Sequence, residues 1–214
     1  TLAETLLLRP LPYRDATRLV LVWQTGPHDY GNEIGASLLD YFDWRREAKQ
    51  LSSLAAYGKQ GFNLTGGDGA EYVEGQVVSA NFFDTLGVTP AIGRTFRGDE
   101  EQRVVILSDG LWRRHYGADR AIAGKSIELS GQSYTVIGVM PRRWRAPERG
   151  ELWVPLSFYT GNWRVFRSTH PLTLIGRLAP GASVGAAESE LRPIAQTIWG
   201  GGLWSGWSVR FEPL

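Results

Sequence analysis

The sequence contains no cysteine and only one methionine among its 214 residues. The absence of cysteine excludes disulfide bonds, thiolate nucleophiles and cysteine-ligated zinc, and it leaves the redox compartment open. The sequence also lacks an uninterrupted apolar run of about eighteen residues, the length that a membrane-spanning helix needs. We therefore expect no membrane crossing within the chain as given.

The chain also has no excess of one charge. Its 23 lysine and arginine residues and 22 aspartate and glutamate residues leave a formal net charge of +1, and the two signs are interspersed. Proteins that bind nucleic acid through electrostatics carry a clear basic excess or a basic stripe. We therefore expect no nucleic-acid partner.

Metal and nucleotide motifs are missing as well. His28, His115 and His170 are scattered without HxxxH or HExxH spacing, so no metal site is predicted. The acidic run at 99–101 lacks the alternating oxygen ligands of a calcium loop and is interpreted as a solvated loop. No GxxxxGK[ST] motif occurs. We expect no cofactor in this domain, and ATP would bind a separate nucleotide-binding domain.

Tryptophan, by contrast, is abundant, with nine residues. Tryptophan fills cores, but it is also enriched at binding surfaces. One hypothesis is therefore a free-standing extracytoplasmic ligand- or carbohydrate-binding module that uses Trp163, Trp204 and Trp207 as exposed stacking platforms for sugars. This alternative stays open at the level of the sequence.

Hydrophobic periodicity and turn residues predict the secondary structure. Strands are predicted at 18–25, 60–65, 71–78, 103–108, 151–157, 172–179 and 207–212, with a hairpin around Gly131-Gln132. Helices are predicted at 37–49, 51–57, 81–86, 108–117 and 183–199, the last kinked or divided at Pro193. Strands and helices alternate without a strict βα repeat, which favours an α+β (mixed α/β) fold.

The stretch "LSDGLWRRHYG" at 107–117 brings together residue types found in catalytic sites. On a helix, Ser108 is the N-cap and Gly117 the C-terminal stop. Seven positions along a helix put Ser108 and His115 roughly 10 Å apart, whereas a nucleophile and its base lie about 3 Å apart. Asp40 and Asp43 lie one helical turn apart, but Asp40 is the capping partner of Ser37. We predict no catalytic residues and no enzyme; a hydrolase would need a constellation that the sequence lacks.

An ordered set of segments resembles a known family. In chain order these segments are "FDWRREAKQLSSLAAY", "FNLTGG", "ANFFDTLGVTPAIGRTF", "VVILSDGLWRRHYG", "YTVIGVMP" and "ELWVPL". Together they resemble the extracytoplasmic (periplasmic) core domain of MacB-type ABC-transporter permeases, in particular the duplicated orphan permeases. "LLLRPLPY" resembles the segment after their first transmembrane helix, and "LIGRLAPGASVGAAESELRPIA" resembles the end of the domain.

The resemblance implies a discontinuous porter-like α/β subdomain with an inserted β-rich sabre-like subdomain. The expected first part of the porter-like subdomain is 1–93, of which 1–12 would be the end of a truncated transmembrane helix and its link. The sabre-like insertion would span 94–160, and 161–214 would complete the porter-like subdomain.

The resemblance also implies a function. The domain would couple ATP-driven transmembrane movement to a periplasmic partner or substrate, as in mechanotransmission or efflux, without catalysing a reaction. Its partners would be the flanking transmembrane helices, a second permease copy or half, and a periplasmic adaptor or substrate. It would lie on the extracytoplasmic (periplasmic) side of a bacterial inner membrane.

The segment "PRRWRAPER" at 141–149 is one candidate contact surface. It concentrates four arginines around Trp144, and Arg142, Arg143 and Trp144 are its candidate contact residues. Arginine and tryptophan in one loop could meet anionic lipid headgroups or nucleic acid. The structural alternative is a solvated loop with a partly buried tryptophan.

The irregular segment 158–170 is the second candidate. Binding residues often lie on loops held by a rigid scaffold. Its aromatic residues Trp163 and Phe166 are therefore predicted to contact a partner.

Overall fold

A computed structural model of the protein describes residues 13–27, 31, 33–66, 69–98, 103–144, 146–158, 166–199 and 206–214. The strands are β1 (Leu19–Thr25), β2 (Leu51–Gly66), β3 (Gly69–Val78), β4 (Ile92–Gly93), β5 (Val104–Leu107), β6 (Ser126–Leu129), β7 (Gln132–Val139), β8 (Leu152–Pro155), β9 (Thr173–Leu178) and β10 (Ser208–Pro213). The helices are α1 (Leu38–Glu47), α2 (Phe82–Leu86), α3 (Asp109–Tyr116) and α4 (Val184–Trp199), with 3-10 turns at Ala16–Arg18 and Leu156–Phe158. The predicted mixed α/β class is confirmed.

One half of the fold is an antiparallel sheet in the order β10-β1-β9-β2, with helices on both faces. Because side chains of a strand alternate between faces, β1 supplies two cores. Val20 and Val22 lie in the larger core, which also contains Trp44 of α1 and Leu191 of α4. Leu19 faces the other way, in a second core that contains all of the apolar side chains of α2.

The other half of the fold is a closed ring of strands. β2 pairs with β3, which is followed by β8, β5, β7 and β6, and β6 returns to β2 through the pair Leu64↔Leu129. Closure protects the backbone edges that an open sheet would expose. The expected insertion at 94–160 supplies four of the six strands, and β2 and β3 supply the other two. The subdomain boundaries stay a prediction.

The first and last strands of the described chain, β1 and β10, pair with each other at one edge of the open sheet. Val20 of β1 pairs with Pro213 of β10. The backbone N–H of Leu214 donates to the carbonyl of Leu19 at 3.1 Å. The strand that begins the fold and the strand that ends it are therefore hydrogen-bonded neighbours.

The predicted helix boundaries follow from local capping. The backbone N–H of Asp40 donates to the Ser37 hydroxyl, and that of Leu111 donates to the Ser108 hydroxyl, which confirms both N-caps. α3 ends at Gly117, with φ 59°, and α2 ends at Gly87, with φ 70°. Positive φ is readily adopted by glycine, so these two positions end their helices.

Two predictions are wrong. Residues 51–57 are not helical: they are the first half of β2, whose backbone pairs with β9 from Leu51↔Leu178 to Tyr57↔Thr173. Pairing across more than a hundred residues outweighs the local helical tendency of this segment. Of the two predicted effects of Pro193, division of α4 is wrong, because the helix runs unbroken from Val184 to Trp199, and a kink stays a prediction. Pro193 lies on the exposed side of the helix, where solvent can satisfy the carbonyl group that its missing N–H leaves free.

Among the helices of the described ranges, none is both long enough and apolar enough to cross a membrane.

Candidate partner-contact surface

The loop between β7 and β8 carries the first predicted contact residues. Arg142 and Arg143 are exposed. Trp144 is half-buried: its ring packs edge-on against Trp153, with centroids 4.8 Å apart, and against Phe83 at 5.6 Å. Its indole N–H is buried and has no hydrogen-bond partner among the residues that the structure describes. Trp144 is therefore partly a core residue, as the structural alternative predicted, and it fixes the loop that presents the arginines.

Arginines of this loop are available for a partner. Arg142, Arg143 and Arg149 have no side-chain hydrogen bond or ion pair with any residue in the described part of the chain. The loop acid Glu148, in contrast, forms an ion pair with Lys59 of β2 at 2.5 Å. Unpaired guanidinium groups offer several hydrogen-bond donors in a fixed plane.

A cleft of about 720 Å³ lies beside this loop. Its lining comprises Tyr72, Glu74, Ser108, Asp109, Gly110, Met140, Pro141, Arg142, Trp144, Ala146, Glu148, Arg149, Gly150, Glu151 and Trp153. The start of α3, the residues after β7 and part of β3 thus all contribute to its lining. A volume of this size lies within the range of ligand sites in proteins.

An ion-pair cluster lies beside Glu151, which is one of the residues lining the cleft. Arg114 of α3 pairs with Glu151 at 2.7 Å and with Glu71 of β3 at 2.7 Å. The hydrogen bond from Arg114 lowers the pKa of Glu71, and the bonds to Glu151 and then Glu71 raise the pKa of Arg114. The cluster joins α3, β3 and the end of the loop, but its side chains are partly exposed to solvent, so its contribution to stability is small.

Sequence reasoning missed Tyr72, whose side chain is 68% exposed. The ring lies over Gly61 of β2, because a Cβ placed on Gly61 would be 2.6 Å from the ring atom Cε2. The sequence signal for this arrangement is a glycine in β2 next to an aromatic residue in β3. It can be recognised only when the pairing register of the two strands is known. Tyr72 also lines a second cavity, of about 450 Å³, with Lys59, Gln60, Gly61, Glu74, Gly75, Glu148 and Arg149.

The second predicted contact segment lies elsewhere. Trp163 is outside the described residues. Phe166 is 54% exposed, but it lines neither of the two cavities. The next residue, Arg167, donates to Asp40 at 2.6 Å and to Asp43 at 2.5 Å on α1. Arg167 therefore holds the described end of the segment, residues 166–170, against α1.

The partner of this clamp is a buried carboxylate. The Asp40 side chain is fully buried and accepts hydrogen bonds from Ser37 Oγ at 2.6 Å, Gln24 Nε2 at 2.9 Å and Trp199 Nε1 at 3.3 Å. Four donors including Arg167 satisfy a buried charge that would otherwise be costly. The predicted role of Asp40 beside Ser37 is confirmed, and the larger network was not foreseen.

Trp207 does not form the exposed sugar-stacking platform that was predicted for it. Trp207 is only 4% exposed, with its ring stacked on His170 at 5.5 Å. The hypothesis is wrong for Trp207, because its ring is packed in the core. Trp163 and Trp204, the other two proposed platforms, lie outside the described residues.

The other candidate sites have structural roles or lie outside the described ranges. Ser108 Oγ accepts the N–H of Leu111 at 3.1 Å, and His115 Nδ1 lies 3.4 Å from Glu71 Oε2. Over the ranges given above, no group of three or more histidine, aspartate or glutamate side chains could hold a metal ion. His28 and the acidic run at 99–101 are not among the described residues.

Comparisons with known proteins agree with one another. The family model described as MacB-like periplasmic core domain matches residues 4–194. A domain of a protein described as a permease from Porphyromonas gingivalis has a TM-score of 0.70 at 13% identity, over 94% of this chain and 92% of the other. The extracellular domain of the noncanonic ABC-type transporter YknZ from Gram-positive bacteria has a TM-score of 0.67 at 15% identity, over 89% and 98%.

The periplasmic region of MacB from Actinobacillus actinomycetemcomitans has a TM-score of 0.66 at 14% identity, over 91% of this chain and 88% of the other. No curated protein sequence is significantly similar to the chain. At such low sequence identity the structural similarity shows only a shared fold. The match to the family model, in contrast, rests on the sequence and covers residues 4–194.

Proposed function

Because the chain belongs to the family of MacB-like periplasmic core domains, we propose that it couples ATP-driven transmembrane movement to a periplasmic partner or substrate, without catalysing a reaction. It would be the extracytoplasmic domain of an ABC-transporter-type permease in a bacterial inner membrane. The flanking transmembrane helices and a second permease copy or half would be its partners. ATP would bind a separate nucleotide-binding domain, and this domain would need no cofactor.

The observation that carries the proposal is the pairing of β1 with β10, the first and last strands of the described chain. Leu19 and Leu214 are joined by a backbone hydrogen bond of 3.1 Å, and β1 and β10 pair along six residues of β1. Helices attached to both ends would therefore pull on two neighbouring strands of the same sheet. Such an arrangement converts a relative movement in the membrane into a tilt of the whole sheet.

A second observation supports transmission over a distance. β2 has 16 residues and belongs both to the open sheet and to the closed ring. At about 3.3 Å per residue it reaches roughly 50 Å. Both ends of β2 are packed in the larger core, from Leu51 to Leu64. Close-packed interiors are weakly compressible and transmit displacement rather than absorb it.

The alternatives have less support. The carbohydrate-binding module was based on tryptophan platforms, of which Trp207 is buried. A hydrolase would need a nucleophile and a base in contact, whereas the Ser108 hydroxyl caps α3 and His115 lies beside Glu71. A broad screen of ester and peptide substrates on the purified chain would reveal a hydrolase, and any Ser108-dependent turnover would contradict the non-catalytic part of the proposal.

The coupling is tested by distance measurements in the parent permease. The chain contains no cysteine, so spin labels can be placed at single sites. Ser126 of β6 and Ser189 of α4 are exposed and lie in different halves of the fold. In proteoliposomes with the nucleotide-binding domain, we expect the distance between Ser126→Cys labels in two permease copies to change when ATP and vanadate are added.

The matched control measures the distance between labels at Ser126 and Ser189 within one domain, which should stay constant because the domain moves as a rigid lever. A nucleotide-binding domain that cannot bind ATP should abolish the change between copies. If ATP turnover leaves the distance between copies unaltered, or if the internal distance changes as much as the distance between copies, the lever mechanism is wrong.

A further inference from the structure

Tyr72 forms a flat aromatic platform on the outer face of β2 and β3. Register places Asn63 opposite Tyr72 and Gly61 opposite Glu74. Because Gly61 has no side chain, the Tyr72 ring lies over its backbone and leaves the other ring face to solvent, with 68% of the residue exposed. Contact with the Gly61 backbone on one side restricts the ring, and a restricted ring loses less entropy when a ligand binds.

Tyr72 lines two adjoining cavities, which together form one groove. The cavities of about 450 Å³ and 720 Å³ share Tyr72, Glu74, Glu148 and Arg149. Neither the Glu74 carboxylate nor the Arg149 guanidinium has a hydrogen bond or ion pair with another described residue. Both planar groups therefore keep their hydrogen-bonding capacity for a ligand.

Charges are balanced in the part of the groove formed by the cavity of about 450 Å³. Lys59 and Arg149 supply two positive groups, and Glu74 and Glu148 supply two negative groups. Such a cavity has no net preference for an anion or a cation. Arg149 contributes a fork of donors and Glu74 a pair of acceptors to a cavity that Tyr72 also lines. Adjacent hydroxyl groups on a ring with an apolar C–H face are complementary to this combination.

We propose that this groove binds a neutral saccharide, with one sugar ring stacked on Tyr72 and its hydroxyls hydrogen-bonded to Glu74 and Arg149. The site does not use the tryptophans considered above. It is independent of the coupling function, because a permease domain can move with or without a bound glycan.

Binding is tested on the 214-residue chain by saturation-transfer NMR and calorimetry with chitotetraose, cellotetraose and maltotetraose. We expect at least one of these oligosaccharides to bind. Tyr72→Ala should weaken its affinity about tenfold, the effect of losing one aromatic stacking contact. Tyr72→Phe, which keeps the ring, should bind nearly as well as the natural chain. Glu74→Gln and Arg149→Met should each weaken binding.

The matched control is Phe42→Ala, because Phe42 on α1 is 51% exposed and lies outside the groove. It should bind like the natural chain. If none of the three oligosaccharides binds, or if Tyr72→Ala and Phe42→Ala bind equally well, the proposal is wrong. Circular dichroism of each variant ensures that a loss of binding is not a loss of folding.

A glycan could come from a free polysaccharide or from a glycolipid headgroup. Phosphatidylcholine vesicles with and without a diglucosyl lipid distinguish the two. Sugar-dependent sedimentation that Tyr72→Ala abolishes would support the site with a lipid-borne glycan, and binding of the oligosaccharides alone would support a free one. Sedimentation with both kinds of vesicle, unaffected by Tyr72→Ala, would contradict a saccharide site.

Discussion

Removal of the Arg167 guanidinium should destabilise the protein strongly. Arg167→Met keeps the aliphatic length of the side chain but removes the charge that pairs with Asp40 at 2.6 Å and Asp43 at 2.5 Å. The Asp40 side chain has no solvent exposure, so water cannot replace the lost partner. The carboxylate would be left buried with only neutral hydrogen-bond donors.

The magnitude follows from the burial. Breaking a buried ion pair by removing one partner costs roughly 3–5 kcal/mol. Asp40 keeps Ser37, Gln24 and Trp199 as donors, and the Arg167 side chain is itself 30% exposed. We therefore expect the lower end, about 3 kcal/mol. For a domain of this size such a loss lowers Tm by roughly 6–12 °C.

Thermal and urea unfolding, followed by circular dichroism, measure the effect. The matched control is Arg192→Met, because Arg192 pairs with Glu188 on the surface of α4 with 47% exposure; it should cost less than about 1 kcal/mol. A double-mutant cycle with Asp40→Asn should give a coupling energy of at least about 1 kcal/mol. Equal destabilisation by Arg167→Met and Arg192→Met would refute the reasoning.

Four further predictions concern single positions. Gly87→Ala should destabilise by at least about 1 kcal/mol, because φ is 70° and its Cβ would lie 2.6 Å from a neighbouring side-chain carbon. Gly185→Ala in α4, where the new Cβ has open space, should instead stabilise by about 0.5 kcal/mol, and urea unfolding of both variants checks the opposite signs. Ser108→Ala should cost about 1 kcal/mol through loss of the α3 N-cap, with Ser126→Ala on exposed β6 as a near-neutral control; equal melting temperatures would contradict the capping role. Burial lowers the pKa of His170 below 6.5, so the unfolded chain takes up a proton first and stability falls as the pH drops below 6.5; His170→Gln should flatten this pH dependence in urea titrations, and an unchanged slope would contradict it.

The helix ends were predictable because their determinants are local. Ser37 and Ser108 accept hydrogen bonds from N–H groups three residues later, and Gly87 and Gly117 adopt the positive φ that ends a helix. These interactions involve neighbours along the chain, so residue types and spacing were enough to identify them.

The segment Leu51–Tyr57 shows where local reasoning failed. Its apolar residues fit a helical turn, yet the segment pairs with β9, more than a hundred residues later. Strand preference depends on the packing and pairing that the fold supplies, and these partners are not visible in a short window of sequence.

The candidate surface was predicted only in part. Exposure of Arg142 and Arg143 was expected from a polar loop, and the partly buried state of Trp144 was the structural alternative. Tyr72 was not foreseen, because its platform depends on Gly61 in the facing strand. A shift of one residue in register would turn the ring to the other face of the sheet.

The sequence by itself determined the family, the mixed α/β class, most of the strands and the capped helix ends. These features depend on residue type, periodicity and contacts within a few positions. The tertiary structure alone decided the closure of the six-stranded ring, the meeting of Leu19 with Leu214, and the clamp of Arg167 on Asp40. Each of these contacts joins residues more than sixty positions apart, and which distant partners meet is decided by the packing of the whole chain, since loop-closure entropy varies only slowly with loop length.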